Sequence, residues 1–238
     1  MSIYVISDLH LSFAPGNDKA MDIFGPRWFN HAERIGINWR QLVKDEDTVI
    51  VPGDISWGLK LDEAAYDLSW IDQLPGKKIM MKGNHDLWWQ GIGKLNRMYD
   101  TITFLQNDSL IVENKVICGT RGWDTPDNDG FTDDDMKVYK RELLRLEMSL
   151  VSAKKKFEEN DNVDEIICFM HYPPVSKVGS YSGFQQLFED YGIKRVYYGH
   201  VHNEIGFKNT IQGQHHGVDY KLVSADYLNC MPILIEEV

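Results

Sequence analysis

The sequence predicts an α/β fold with mixed sheets, on three observations. Five short apolar runs each stop at a turn and lead into side chains that carry a ligand oxygen or nitrogen. Early in the chain such runs alternate with amphipathic helical patterns. Hairpin-like strand runs then occur in the middle and near the end, which a purely doubly wound fold would lack.

The first run, Ile3-Tyr4-Val5-Ile6-Ser7, ends in Asp8-Leu9-His10. Open α/β sheets place ligands in the crevice beyond the carboxyl ends of such strands. Leu11 to Gly25 reads as a loop, with Pro15-Gly16-Asn17 as its turn. From Pro26 to Val43 the apolar residues Trp28, Phe29, Ile35, Ile37, Trp39 and Leu42 recur at helical spacing, and Pro26 suits a first turn. His31 is expected on that helix's surface. The second strand, Thr48 to Pro52, ends in Gly53-Asp54. Leu61 to Leu74 is a helix with Leu61, Ala64, Ala65, Leu68 and Ile71 on one face, stopped by Pro75-Gly76. The third strand follows from Lys77 and runs into Gly83-Asn84-His85-Asp86. Gly83 is expected to supply a φ sign that other residues resist.

Gly91 to Tyr99 reads as a shorter helix, and Thr101–Leu105, Leu110–Val112 and Val116–Gly119 as strands. Thr120-Arg121-Gly122-Trp123 leads into an acidic loop through Asp135. Met136, Tyr139, Leu143, Leu146 and Leu150 then mark a long amphipathic helix to about Glu159. The fourth strand, Ile166 to Met170, ends in His171-Tyr172-Pro173-Pro174. Ser182 to Tyr191 is a short helix closed by Gly192, and the fifth strand, Arg195 to Tyr198, ends in Gly199-His200-Val201-His202. His215-His216 reads as an exposed turn, and Tyr220–Ser224 and Pro232–Glu236 as the last strands.

At 238 residues the chain suits one domain over 1–238 with a buried core. Asp and Glu number 36 against 25 Lys and Arg, a net charge of −11. That balance gives no general attraction to nucleic acid or an anionic membrane. Cys118, Cys168 and Cys230 are far apart and imply no disulfide framework, which suits a reducing cytoplasm. No run reaches transmembrane length, and a strand begins within three residues of Met1, so a cytoplasmic protein is expected.

Asp8 and His10 are two apart, so on an extended strand end both would leave one face and could serve one cation. His200 and His202 share that spacing, and the two oxygens of Asp54 could bridge two metals. Asn84 and His171 complete an oxygen and nitrogen set suited to Mn, Fe, Zn, Co or Ni rather than to Mg or Ca.

In this order, Asp-x-His, Gly-Asp, Gly-Asn-His-Asp, an isolated histidine and Gly-His-x-His resemble the calcineurin-like metallophosphoesterases, from Asp8 to His202. The resemblance implies a four-layer α/β/β/α sandwich of two mixed β-sheets with a two-metal site, Mn being favoured. By motif, Asp8, His10, Asp54 and His202 would hold one ion, and Asp54, Asn84, His171 and His200 the other. Asn84 and His85 would be catalytic, His85 meeting the phosphate or leaving group. The implied activity is hydrolysis of a small phosphomonoester or phosphodiester by hydroxide activated between the metals. A non-catalytic scaffold of the same fold and a nuclease are the alternatives.

Two departures stand out. Many phosphatases of this family continue Gly-Asp-x-x-Asp-Arg, whereas here Gly53-Asp54-Ile55-Ser56-Trp57 follows. The aspartate that would orient His85 and the phosphate-binding arginine are therefore missing there, and Asp86 need not reach His85. Arg121 is the candidate for the missing phosphate contact, or else pairs with Asp124 or Asp127. Trp57, Trp88 and Trp89 either pack or wall a pocket.

Overall fold

The computed structural model describes residues 1–17 and 19–237. In chain order its elements are β1 (Ser2–Val5), α1 (His31–Leu42), β2 (Thr48–Val51), α2 (Leu61–Asp72), β3 (Lys77–Met80), α3 (Ile92–Leu95) and β4 (Ile102–Phe104). They continue as β5 (Ser109–Val112), β6 (Lys115–Thr120), α4 (Asp133–Glu158), β7 (Glu165–Met170), α5 (Gly183–Asp190) and β8 (Arg195–Tyr198). Last come α6 (Asn203–Asn209), β9 (Gly213–His215), β10 (Val218–Leu222) and β11 (Ile233–Glu237). The chain forms two units, one of Met1–Phe104 with the stretch from Val223, the other of Leu105–Leu222. Each carries one mixed sheet with helices, so the α/β expectation holds and is consistent with the calcineurin-like fold.

In the first unit the sheet order is β11-β1-β2-β3-β4. β1 to β4 are parallel, and β11 closes the edge antiparallel to β1. Every residue of β2 is buried, as parallel strands covered on both faces require. α1 contributes Ile35 and Trp39 to this core, and α2 contributes Ala64, Leu68 and Ile71. Trp39 has its polar edge satisfied, its Nε1 donating to the Pro75 carbonyl at 2.9 Å. Lys78 on β3 is fully buried and caps the end of α2. Its Nζ donates to the Asp72 carbonyl (3.2 Å), the Leu74 carbonyl and Thr101 Oγ1 (3.1 Å). Those carbonyls lie where a helix runs out of its own donors. Burial lowers the Lys78 pKa to about 8.

Pro26 to Val43 is not one helix. Pro26–Trp28 makes a single 3₁₀ turn, Asn30 takes φ 51°, and α1 starts at His31. A left-handed residue cannot continue a right-handed helix, so the two pieces separate. His31 is buried rather than on the surface, with Nε2 3.3 Å from the His10 carbonyl.

In the second unit the order is β5-β6-β7-β8-β10-β9. β6, β7, β8 and β10 are parallel, and β5 and β9 are antiparallel edges. α4 begins at Asp133, three residues before the expected Met136, because Thr132 and Asp135 form a reciprocal cap. Asp133 to Asp135 therefore belong to the first helical turn, where the helix dipole favours acids. α6 and β9 were not anticipated. His215 ends β9 half-buried, while His216 is exposed in the turn at φ 50°. Cys118 and Cys168 are buried neighbours across β6 and β7, and all three cysteines are free thiols. No described helix is long and apolar enough to cross a membrane.

Candidate active site

In the first unit, β1, β2 and β3 run in parallel, so the loops bearing Asp8–His10, Gly53–Asp54 and Gly83–Asp86 leave one edge of the sheet. Main-chain bonds tie the first two loops together: Asp8 N–H to the Gly53 carbonyl and His10 N–H to the Asp54 carbonyl, both 3.0 Å. Asp8 (φ 60°), His10 (φ 45°) and Asp54 (φ 51°) all occupy the left-handed region. The extended-strand expectation for Asp8 and His10 is thus corrected, since both lie beyond β1 in a strained loop. They still converge, offering ligand atoms within 4.8 Å of one another, and both are buried. Asp54 is 1% exposed, with Oδ2 3.7 Å from His10 Nε2 and 4.0 Å from His85 Nε2. Non-glycine residues in this conformation cost of order 1–3 kcal/mol each, and such strain concentrates at functional sites.

Gly83 is needed for a reason other than φ. A Cβ there would lie 2.1 Å from Asp54 Oδ1 and 2.2 Å from Asp54 N. Only glycine lets the third loop press against Asp54, and His85 N–H then donates to Asp54 Oδ1 at 2.8 Å. Asn84, between them, is half-buried in the same loop.

Asp86 turns away from His85. Its Oδ1 accepts from Ile55 N (2.9 Å), Ser56 N (3.2 Å) and Trp88 Nε1 (3.1 Å), and its Oδ2 accepts from Gly83 N (2.8 Å). Burial, with Asp54 adding to it, pushes the Asp86 carboxyl up to about 7. Four N–H donors nevertheless give an added proton nothing to bond, so the carboxylate is the form this pocket accommodates. Asp67 on α2 does a similar job that the sequence did not reveal. Its carboxylate accepts from Phe13 N (2.7 Å) and Ser56 Oγ, joining the loops after β1 and β2.

The tryptophans divide. Trp88 is fully buried, and Trp89 packs with it and Phe104, so both are core residues. Trp57 instead stacks on His10 at 4.9 Å between centroids and lies 4.3 Å from His85.

In the second unit His171 and His200 follow the parallel strands β7 and β8 and leave one edge. His171 N–H donates to the Arg121 carbonyl at 3.2 Å, and Gly199 N–H donates to the His171 carbonyl at 3.0 Å. The two imidazoles offer ligand nitrogens within 4.8 Å of each other. Tyr172 stacks on His200 at 3.9 Å, and His200 takes φ 69°. His202, half-buried, immediately precedes α6.

Arg121 pairs with neither Asp124 nor Asp127. Its Nη2 is 3.2 Å from Oε1 of Glu142, a buried acid on α4 that also binds Thr120 Oγ1 (2.8 Å) and Arg145 Nη1 (2.7 Å). The guanidinium also covers Trp123 at 4.7 Å. This charge is neutralised from within the unit, and the Arg121 carbonyl receives the N–H groups of His171 and Tyr172. The arrangement favours a role in holding the His171 loop over contact with phosphate. Glu142 was invisible in the sequence because the partners that tie it to the His171 loop, Thr120 and Arg121, lie more than twenty residues away.

The sequence matches the calcineurin-like phosphoesterase family over residues 1–204. The chain belongs to this family. The Gene 66 protein of Mycobacterium phage L5 is 34% identical over 82 residues, 34% of this chain. The chain spans 37% of that relative's length. Among solved structures, a protein of unknown function, AQ665 from Aquifex aeolicus, aligns with TM-score 0.52 and 19% identity, over 98% of this chain and 95% of that one. Phosphopantetheinyl hydrolase (PptH) from Mycobacterium tuberculosis aligns with TM-score 0.55 and 16% identity, over 99% and 96%. At these identities the two structures speak for the fold.

Calcineurin-like phosphoesterases are phosphoester hydrolases that typically bind divalent metals. The donors of each unit fit such ions. One unit presents buried carboxylates and an imidazole and the other presents imidazoles, with no thiolate among them. That mixture suits first-row divalent metals.

Proposed function

We propose that this phosphoesterase binds two divalent transition-metal ions and hydrolyses a small phosphomonoester or phosphodiester. The observation that carries the reading is the strained trio Asp8, His10 and Asp54, all buried and all at positive φ. Folding alone gives no return for three such residues side by side, whereas holding a cation does. Family membership supports joining this half-site to the histidines of the second unit. In the proposal Asp8, His10, Asp54 and His202 hold one ion, and Asp54, Asn84, His171 and His200 the other. Mn is the first ion to try in reconstitution.

Divalent ions held by these residues would supply Lewis-acid polarisation of the phosphoryl group and a more acidic water. The protein's own part falls to His85. Its side chain is 42% exposed, against 1% for Asp54 only 4.0 Å away, so it can meet a substrate. It donates a proton to the departing oxygen, or a hydrogen bond to the charge that develops there. The main-chain bond from His85 N–H to Asp54 fixes where that imidazole starts.

The preference for a small substrate rests on charge. The loop from Asp124 to Asp129 leaves β6 at the same edge of its sheet as His171 and His200, because β6, β7 and β8 are parallel. With a net charge of −11, the chain repels polyanions such as duplex DNA. One or two phosphates neutralised by the ions escape that repulsion.

The test is a metal-by-substrate screen of chelated and reconstituted protein, with His85→Ala and Asp54→Asn beside the wild type. His85→Ala should keep both equivalents of metal and lose roughly 10²–10⁴-fold in turnover on esters with poor leaving groups. Asp54→Asn should lose metal as well as rate. Wild-type kcat in His85→Ala on a poor leaving group overturns the assignment, as does efficient cleavage of duplex DNA.

A further inference from the structure

The acid next to His85 in sequence is engaged elsewhere and does not set the orientation of its ring. Both oxygens of Asp86 are taken by Ile55, Ser56, Gly83 and Trp88. Among the groups against the His85 ring are the edge of His10, with centroids 5.6 Å apart, Asp54 Oδ2 at 4.0 Å, and Trp57, three residues after Asp54, whose ring is the nearer of the two. The Trp57 and His85 centroids are 4.3 Å apart, the rings tilted by 51°.

The indole is well anchored. Trp57 N–H donates to the Leu11 carbonyl at 2.8 Å, and Nε1 points at Met21 Sδ at 3.2 Å. Its neighbour Ser56 is tied to buried Asp67 and receives the Gly58 N–H at 3.0 Å. Another of its contacts is the ring of His10, stacked at 4.9 Å and 22°. Lys19 Nζ lies 5.3 Å from the indole centroid. A flat ring held at its backbone and its polar edge can fix the swing of an imidazole that touches it.

We propose that Trp57 is the positioning residue of His85: the indole restricts the imidazole to the orientation from which it delivers a proton to the departing oxygen. This rests on the phosphohydrolase reading above. A misplacement of about 1 Å at a reacting group can cost about 10²-fold, so a ring contact of this kind has the leverage required.

The experiment is a double-mutant cycle on metal-reconstituted full-length protein: Trp57→Ala, His85→Ala and both together. Each is assayed on a p-nitrophenyl ester, whose leaving group departs without a proton, and on the corresponding alkyl ester, whose leaving group needs one. Trp57→Ala should lose about 10- to 100-fold in kcat on the alkyl ester, less than about threefold on the p-nitrophenyl ester, and change KM little. The double variant should be no slower than His85→Ala, and Trp57→Phe should recover most of the alkyl-ester rate. Equal losses on both esters, or losses that multiply in the double variant, overturn the proposal. If Trp57→Ala loses metal or folds poorly, Trp57→Leu takes its place, since it keeps bulk without a flat face. The same leaving-group selectivity is then expected, and its absence counts against the proposal equally. A His85→Ala variant that is fully active on the alkyl ester would overturn the proton-donor role of His85 and this proposal with it, whereas reconstituted wild type that hydrolyses neither ester would defeat the phosphohydrolase reading, so the failures are distinct.

Discussion

The two units carry candidate ligands to the ends of parallel strands by different means. In the first, polar side chains and close backbone approach do the holding. Asp86 gathers four N–H donors from two loops, Asp67 joins two loops, and Gly83 leaves no room beside Asp54. In the second, main-chain bonds and ring stacking hold His171 and His200, and the buried acid Glu142 sits one step back, on Thr120 and Arg121. The difference follows from what is being held. Carboxylates buried side by side repel one another until a cation arrives, so their loops need rigid polar ties. Neutral imidazoles carry no such penalty and can be set by packing.

The sharpest way to break that contrast is to place the same methyl group in both units. Gly83→Ala would drive a Cβ into the Asp54 backbone, whereas in Gly122→Ala the tightest contact, 2.6 Å, is with the flexible end of Met170. Gly83→Ala should destabilise the metal-free protein by about 3–5 kcal/mol and Gly122→Ala by about 1–2 kcal/mol, the latter mainly through its φ of +71°. Urea denaturation of both variants measures this. Equal losses would mean that the two loops are equally rigid.

A smaller effect is expected from neutralising the buried acids. Asp86→Asn sets an amide N–H₂ against at least one N–H donor and should cost about 1–3 kcal/mol. It should also weaken metal uptake, because Ile55 and Ser56 continue directly from Asp54. Glu142→Gln should cost a similar amount with uptake unchanged. Elemental analysis after dialysis against limiting Mn separates the two cases.

The smallest effect distinguishes the units by pH. Burial holds the Lys78 pKa at about 8, below its unfolded value, so the unfolded chain binds more protons between about pH 8 and 10.5. The wild type's stability relative to Lys78→Met should therefore rise across that window. In the second unit the hydrogen bond from Lys115 holds the Asp164 carboxyl below its ordinary value. Its contribution is present above about pH 4 and is lost as pH falls through the lowered folded value. Thermal melts of Lys78→Met and Asp164→Asn across pH 3 to 10.5 check both signs.

Much of this was legible in the sequence. The apolar runs located β1, β2, β3, β7 and β8 within a few residues, because strand length and hydrophobicity are local properties. The loops bearing Asp8, His10, Asp54, Asn84, His85, His171, His200 and His202 were legible because their donor-rich residues directly follow those runs. Other features were not, since they depend on distant partners. The left-handed conformations of Asp8 and His10, the close approach at Gly83 and the Asp67 and Glu142 ties all need segments far apart in sequence. α6 was missed for a local reason: Asn203 sits at φ 65° and its Oδ1 accepts from Ile205 and Gly206 N–H, starting a turn that no apolar periodicity announces. β10 starts at Val218, two residues before the expected Tyr220, because Val218 and Asp219 pair back onto His215 and Gln214 of β9.

The left-handed backbone at Asp8, His10, Asp54 and His200 also bears on how this chain can drift over generations. Glycine at any of these four positions would relieve steric conflict that the present side chain imposes. While the loops are under selection for chemistry, those replacements are removed. In a descendant that had lost its substrate they would become harmless or even favourable, and so would accumulate early. Glycine at these four codons would then record when a lineage stopped using its active site, well before the sheets themselves had changed.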